Sequence, residues 1–299
     1  MAWIFYGLLS AVFLGLYDLF KKYAVDGNAV LPVIFYSTVA SALVWLPFWI
    51  ISRVSPAVVA DTLLYVAPMS PLDHARLLLK ATIVASSWVF TYFAIKHLPI
   101  SLAGPIRATG PLWTLVGALL LFSERPGTWQ WVGIGMTLIG FAMLSRAGRL
   151  EGIHFAKDRW IIYMVAGTVM GSVSTLYDKY LLNTLHIPVA AVQCWFSIYL
   201  VLVFAPLAYG WWRRWWPRAT FHWRWSIPLI GLALLAGDYA YFTALADPHA
   251  MIAVLACLRR GSTLIAFAGG IILFREANGW KKIPALTAIL LGITIIVVG

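Results

Sequence analysis

Charge is scarce in this 299-residue chain: Asp, Glu, Lys and Arg make up 11% of it, against 62% hydrophobic residues. So little polarity cannot cover a water-soluble surface of this size, which excludes an ordinary globular protein and leaves lipid as the solvent. Acid is scarcer than base, with 11 Asp and Glu against 22 Lys and Arg. In a soluble protein the resulting net charge of +11 would suggest nucleic acid. Here it fits basic loops held at an anionic membrane face, and the expected partners are membrane lipid and a small-molecule substrate, not nucleic acid. Cysteine is nearly absent. Cys194 and Cys257 stand far apart inside apolar runs, which excludes a disulfide framework and a paired-cysteine metal site. HExxH, GxSxG, helically spaced histidine pairs, a Walker A loop and a dinucleotide glycine motif are also missing. Neither a membrane-embedded enzyme nor an ATP-driven pump is therefore expected, and no cofactor or metal. The first residues, MAWIFYGLLSAVFLGLYDLFKK, lack a basic leader and a small-residue cleavage site, so they read as a retained first helix.

What the chain has in abundance is apolar runs of helix length, bordered by aromatic rings of the kind that collect where hydrocarbon meets headgroups. Crossing about 30 Å of hydrocarbon takes roughly 20 apolar residues as a helix, and unpaired backbone groups leave only helices or closed barrels as options. Ten spans are predicted, at about residues 2–23, 30–52, 78–97, 100–122, 127–147, 160–182, 188–210, 224–246, 250–273 and 281–299. Residues 53–77, with three prolines and both charge signs, read as an amphipathic surface excursion. The charged stretch RLEGIHFAKDR near the midpoint reads as a linker. The expected organisation is a first unit over residues 1–148, a linker over 149–159 and a second unit over 160–299.

The two units resemble each other. GLYDLF, with Tyr17 and Asp18, echoes TLYDKY, with Tyr177 and Asp178, late in the first helix of each half. LPV at residues 31–33 matches IPV at residues 187–189. In the fourth span, PIRATGPLWTLVGALLLFSE aligns without a gap to CLRRGSTLIAFAGGIILFRE, pairing Arg107 with Arg259, Gly117 with Gly269 and Glu124 with Glu276. The fifth span keeps this register, with Gly140 opposite Gly292. Five helices per unit is an odd number, so the second copy must enter the membrane from the opposite side, as an inverted repeat.

On these residues, above all the LFSE and LFRE ends at Glu124 and Glu276, the whole chain resembles the drug/metabolite transporter superfamily, in particular its ten-helix EamA-type members. That resemblance implies an all-α membrane protein of ten transmembrane helices, two inverted five-helix repeats around a central cavity. It further implies alternating access without ATP hydrolysis, substrates such as amino acids, organic cations, sugars or nucleotide-linked metabolites, frequent export and a bacterial inner-membrane location.

An ionisable side chain inside hydrocarbon costs roughly 2.5–3.5 kcal/mol on insertion scales, so such residues usually face a cavity or a partner. Arg107 and Arg259 lie about 10–14 Å inside their helices, and either present guanidinium forks to a substrate carboxylate or phosphate or pair with Asp18, Asp178 or Asp238. Arg260 points about 100° away from Arg259 on a helix. Asp18 and Asp178 are followed closely by Lys21 and Lys179. They read as interfacial ion pairs or as gates at opposite mouths. Asp238 has no acidic counterpart in the first half, which makes it a candidate proton or cation site. Trp88 and Tyr92 on the third span, with Tyr239 and Tyr241 on the eighth, are the aromatic candidates for the cavity wall. Gly104, Pro105, Gly110 and Pro111 mark the fourth span as a hinge, and Gly167 and Gly171 form a GxxxG pair suited to close helix approach.

The expected function is secondary transport of a small polar metabolite, such as an amino acid or another carboxylate- or phosphate-bearing compound, by alternating access in a monomer or homodimer, with export the expected direction. Two alternatives are a flippase of a lipid-linked phosphate, and a proton-coupled organic-cation exporter built on Asp238 and an aromatic cavity. Most Lys and Arg residues fall on the side of the loops that follow the odd-numbered spans. The positive-inside rule then puts both termini outside, whereas the family resemblance puts them in the cytoplasm.

Overall fold

The computed structural model describes residues 2–113, 127–155, 157–215, 219–245 and 258–298. Among these there are ten α-helices and no strand. They are α1 (Ala2–Val25), α2 (Val30–Val54), α3 (Pro71–His97), α4 (Ile100–Ala108), α5 (Thr128–Arg149), α6 (Arg159–Lys179), α7 (Val189–Trp212), α8 (Ser226–Leu245), α9 (Ser262–Ile272) and α10 (Gly279–Val298). Seven of them, α1, α2, α3, α5, α6, α7 and α10, are long and apolar enough to cross a bilayer. The chain is an integral membrane protein.

The third helix starts earlier than its hydropathy predicts. Ser70 caps it, its hydroxyl accepting from the Asp73 N–H at 3.2 Å and donating to the Asp73 carboxylate at 2.6 Å, with Pro71 in the first turn. Residues 71–77 of the expected excursion are therefore helical, and Lys80 moves from near a helix end to the tenth residue of α3. The rest of the excursion folds back on α2. The Val66 N–H donates to Ser52 Oγ at 3.0 Å, Arg53 donates to the Val66 carbonyl at 3.3 Å, and the Val66 side chain is buried.

Helices pack chiefly across the sequence midpoint: α1 on α8, α3 on α6, α2 on α7, α4 on α9 and α5 on α10. Glycine sets the closest of these approaches. A Cβ at Gly292 would lie 2.4 Å from Thr137 Oγ1, and one at Gly133 would lie 2.7 Å from the Gly292 carbonyl, so α5 and α10 meet backbone to backbone. Gly167 of the GxxxG pair faces α3, where a Cβ would lie 2.5 Å from Thr91 Cγ2 and 2.9 Å from the Ser87 carbonyl. Ser87 Oγ donates to the Gly167 carbonyl at 2.7 Å across the same seam. Small residues here replace the hydrophobic drive that lipid cannot supply.

Candidate functional site

The site begins with two breaks in helical backbone. Helix α4 stops at Ala108, turns at Thr109 and resumes over residues 110–113. Residues 258–260 are helical, Gly261 turns, and α9 follows. In the gapless alignment Thr109 matches Gly261, so the breaks coincide, each two residues after its arginine. In α4 the cause is visible. Pro111 has no N–H for the Arg107 carbonyl four residues back, and the Thr109 N–H bonds to Ile106 at 3.2 Å in a tighter turn. From α6, Ser172 Oγ donates to the Gly110 carbonyl at 2.9 Å, satisfying an acceptor beside the break. Discontinuous helices of this kind commonly frame transporter sites.

Arg107 reaches from α4 to Asp18 on α1 and forms an ion pair with Asp18 Oδ1. Lys21, one turn beyond Asp18, holds the same oxygen at 3.1 Å. The Lys21 ammonium also lies over two aromatic faces, 4.2 Å from the Tyr17 centroid and 5.0 Å from that of Tyr92. Lys21 is 1% exposed, whereas the Arg107 side chain is 32% exposed. Of the two cations sharing Asp18, only the arginine can be reached from outside the protein interior.

The second half uses its counterparts differently. Arg259 bonds to Asp238 Oδ1 at 2.8 Å and stacks its guanidinium 4.1 Å from the Tyr241 centroid. Asp178, the repeat equivalent of Asp18, pairs with Lys80 of α3. Asp238 lies within electrostatic reach of Tyr17 on one side and of Asp178 on the other, so the two groups of charges form one band. Among the described ion pairs of this band, four cations (Lys21, Lys80, Arg107 and Arg259) meet three carboxylates (Asp18, Asp178 and Asp238). The balance is one positive charge.

The aromatic candidates separate. Tyr241 belongs to the charged band, and Tyr239 beside Asp238 is 43% exposed. Tyr92 is fully buried under Lys21, and its hydroxyl has no hydrogen-bond partner of normal geometry, although Tyr17 and Ser37 interact with it electrostatically. Trp88 is half-buried and stacks on Phe204, with centroids 6.4 Å apart. The Lys179 side chain, Cys257 and Glu124 lie outside the described residues. Arg260 turns away from Arg259, toward Gly110 of α4. Among the described residues no cluster of three or more His, Cys, Asp or Glu is arranged to hold a metal.

Two residues that hold this region together have no site assignment from the sequence. Lys80 was legible only through its helix start, in the Ser-Pro-Leu-Asp signal at residues 70–73. The other is Glu276, whose carboxylate accepts from the backbone N–H groups of Ile100 at 2.5 Å and Ser101 at 2.9 Å. The residue that closes the second LFxE sequence thus caps the broken helix of the first half. Close by, the fully buried Lys282 pairs with Glu151 of the linker at 2.6 Å and donates to Ser101 Oγ at 2.8 Å.

Comparison with known proteins agrees with this architecture. Residues 1–146 match the model of the EamA-like transporter family. The uncharacterized inner membrane transporter YedA of Escherichia coli strain K12 is 30% identical over 112 residues, 36% of this chain and 36% of its own length. The YedA proteins of E. coli O6:H1 and O157:H7 match to the same extent. The match therefore spans about a third of those relatives. A solved crystal structure superimposes over 99% of this chain and 97% of its own, with a TM-score of 0.63 at 12% identity, a likeness of fold alone.

Proposed function

We propose that this protein, whose residues 1–146 match the EamA-like transporter family, is a secondary transporter of the inner membrane, moving a small polar metabolite that carries a carboxylate or phosphate. The observation that carries this reading is the excess of one positive charge among the described ion pairs of a band that crosses between the two halves. Two cations that share one carboxylate leave room for an anion brought from outside.

The arrangement of helices supports alternating access. Exchanging each helix with the one five places along leaves the main pairings unchanged: α1 on α8 becomes α6 on α3, and α2 on α7, α4 on α9 and α5 on α10 each return themselves. That is the behaviour of a two-fold relation between inverted repeats over residues 1–148 and 160–299, joined by the linker at 149–159. An inverted second copy supports a gating role for Asp18 and Asp178, in which their pairs with Arg107 and Lys80 close one mouth at a time. No reaction is catalysed, and the protein acts with lipid and its substrate alone, as a monomer or homodimer.

Purified protein in liposomes preloaded with candidate carboxylates and phosphates tests this reading. Counterflow of a labelled anion, lost in Arg107→Gln, is the expected result. Counterflow of organic cations alone would instead favour the second reading, a proton-coupled cation exporter. That reading rests on the neighbouring, partly exposed Asp238 and Tyr239.

A further inference from the structure

The two arginines are not equally free to leave their carboxylates. Lys21 and Arg107 share a single oxygen of Asp18, with Lys21 held from the same helix one turn away. If Arg107 swings off, Asp18 keeps a buried counter-ion. Asp238, 32% exposed, has no second cation among the described ion pairs, so departure of Arg259 leaves its carboxylate without an ion-pair partner. At the buried Asp18, exchanging partners is far less costly than losing the last one.

We infer that Arg107 is the group that takes the anionic head of the substrate, and that Lys21 keeps Asp18 paired while Arg107 is away. This rests on the anion-transport reading above and assigns its two halves separate tasks. Arg107 has the exposure that a ligand needs, at 32%, and sits beside the break at Thr109, where backbone can turn without unwinding a continuous helix. Lys21, at 1% exposure, never meets the substrate. It is a positioning residue, acting through Asp18. Arg259 stays with Asp238, braced by the Tyr241 face. The repeat equivalent of Lys21 in the second half is Leu181, one turn beyond Asp178 but apolar, so this exchange of partners has no copy there.

The test uses the full chain in detergent, with inorganic phosphate and succinate as probes and the rise of the melting midpoint with anion concentration as the readout. Lys21→Met leaves Asp18 paired with Arg107 and so preserves the folded protein, but it locks the arginine in place. Its apparent anion affinity is expected to fall roughly 10- to 100-fold, the range for losing a charged hydrogen bond. Lys21→Arg is expected to restore most of the response. The double variant Asp18→Asn with Lys21→Met removes carboxylate and stand-in together, frees Arg107, and is expected to bind at least as tightly as the wild type. A merely structural Lys21 would leave the double variant no better than the single one. Equal anion response in wild type and Lys21→Met overturns the exchange of partners while leaving anion transport standing. No response to either anion in the wild type overturns the role of Arg107 together with the anion reading.

Discussion

Lys282→Met should be the most damaging single change near the linker. Lys282 is 0% exposed and faces Glu151, whose side chain is 11% exposed, at 2.6 Å. The contact is an ion pair without hydrogen-bond alignment at the carboxylate, while the directed bonds of the ammonium go to Ser101 Oγ at 2.8 Å and the Ala277 carbonyl at 3.4 Å. Removing one partner of a buried pair costs about 3–5 kcal/mol, because the other charge is left without compensation. Loss of the Ser101 bond adds about 1 kcal/mol. Changing Glu151→Gln in the same chain removes the stranded charge and should recover most of the loss, leaving the double variant within about 1–2 kcal/mol of the wild type. Unfolding in mixed detergent micelles, followed by far-UV circular dichroism or by protease susceptibility, reads all three proteins. A Lys282→Met protein as stable as the wild type, or a double variant no more stable than the single one, would refute the reasoning.

Three further outcomes follow from contacts described above. Glu276→Ala should cost about 1.5–3 kcal/mol by uncapping α4, and Glu276→Gln less, since an acceptor remains for Ile100 and Ser101; the same unfolding measurement decides. Gly292→Ala places a methyl 2.4 Å from Thr137 Oγ1 and 2.7 Å from the Thr137 nitrogen. Backbone cannot yield there, so the variant should lose about 1–3 kcal/mol, whereas Gly135→Ala, which meets nothing within 4 Å, should be neutral or gain up to about 1 kcal/mol of helix propensity. Asn28→Ala should loosen the segment after α7, because Asn28 both donates to the His222 carbonyl and accepts from the His222 N–H. Faster proteolysis confined to residues 219–225 is the expected sign.

Much of this was legible in the sequence, and the physical reason differs from residue to residue. Helix number follows from apolar length, and the repeat register matched Thr109 to Gly261 before any coordinates showed both helices breaking there. The partner of each arginine was not legible. Helices that are apolar on nearly every side carry no periodicity to say which face points inward, so Arg107 had three acids to choose from and Arg259 the same three. Pairing of Asp178 with Lys80 was hidden by the early start of α3, which hydropathy does not register because its first turn is polar. Glu276 was visible as a recurring residue, but its role as a cap spans 176 positions of sequence and depends on how α9 meets α4.

The preference of each helix for a partner in the other half has a consequence for synthesis. When α5 has left the ribosome, the helices it and its predecessors need as neighbours do not yet exist, and the faces later covered by α6 to α10 must wait in lipid or against a chaperone. A chain cut at the linker would lose continuity but no interface. Two fragments made together are therefore expected to find each other, and either one made alone is a target for membrane proteases.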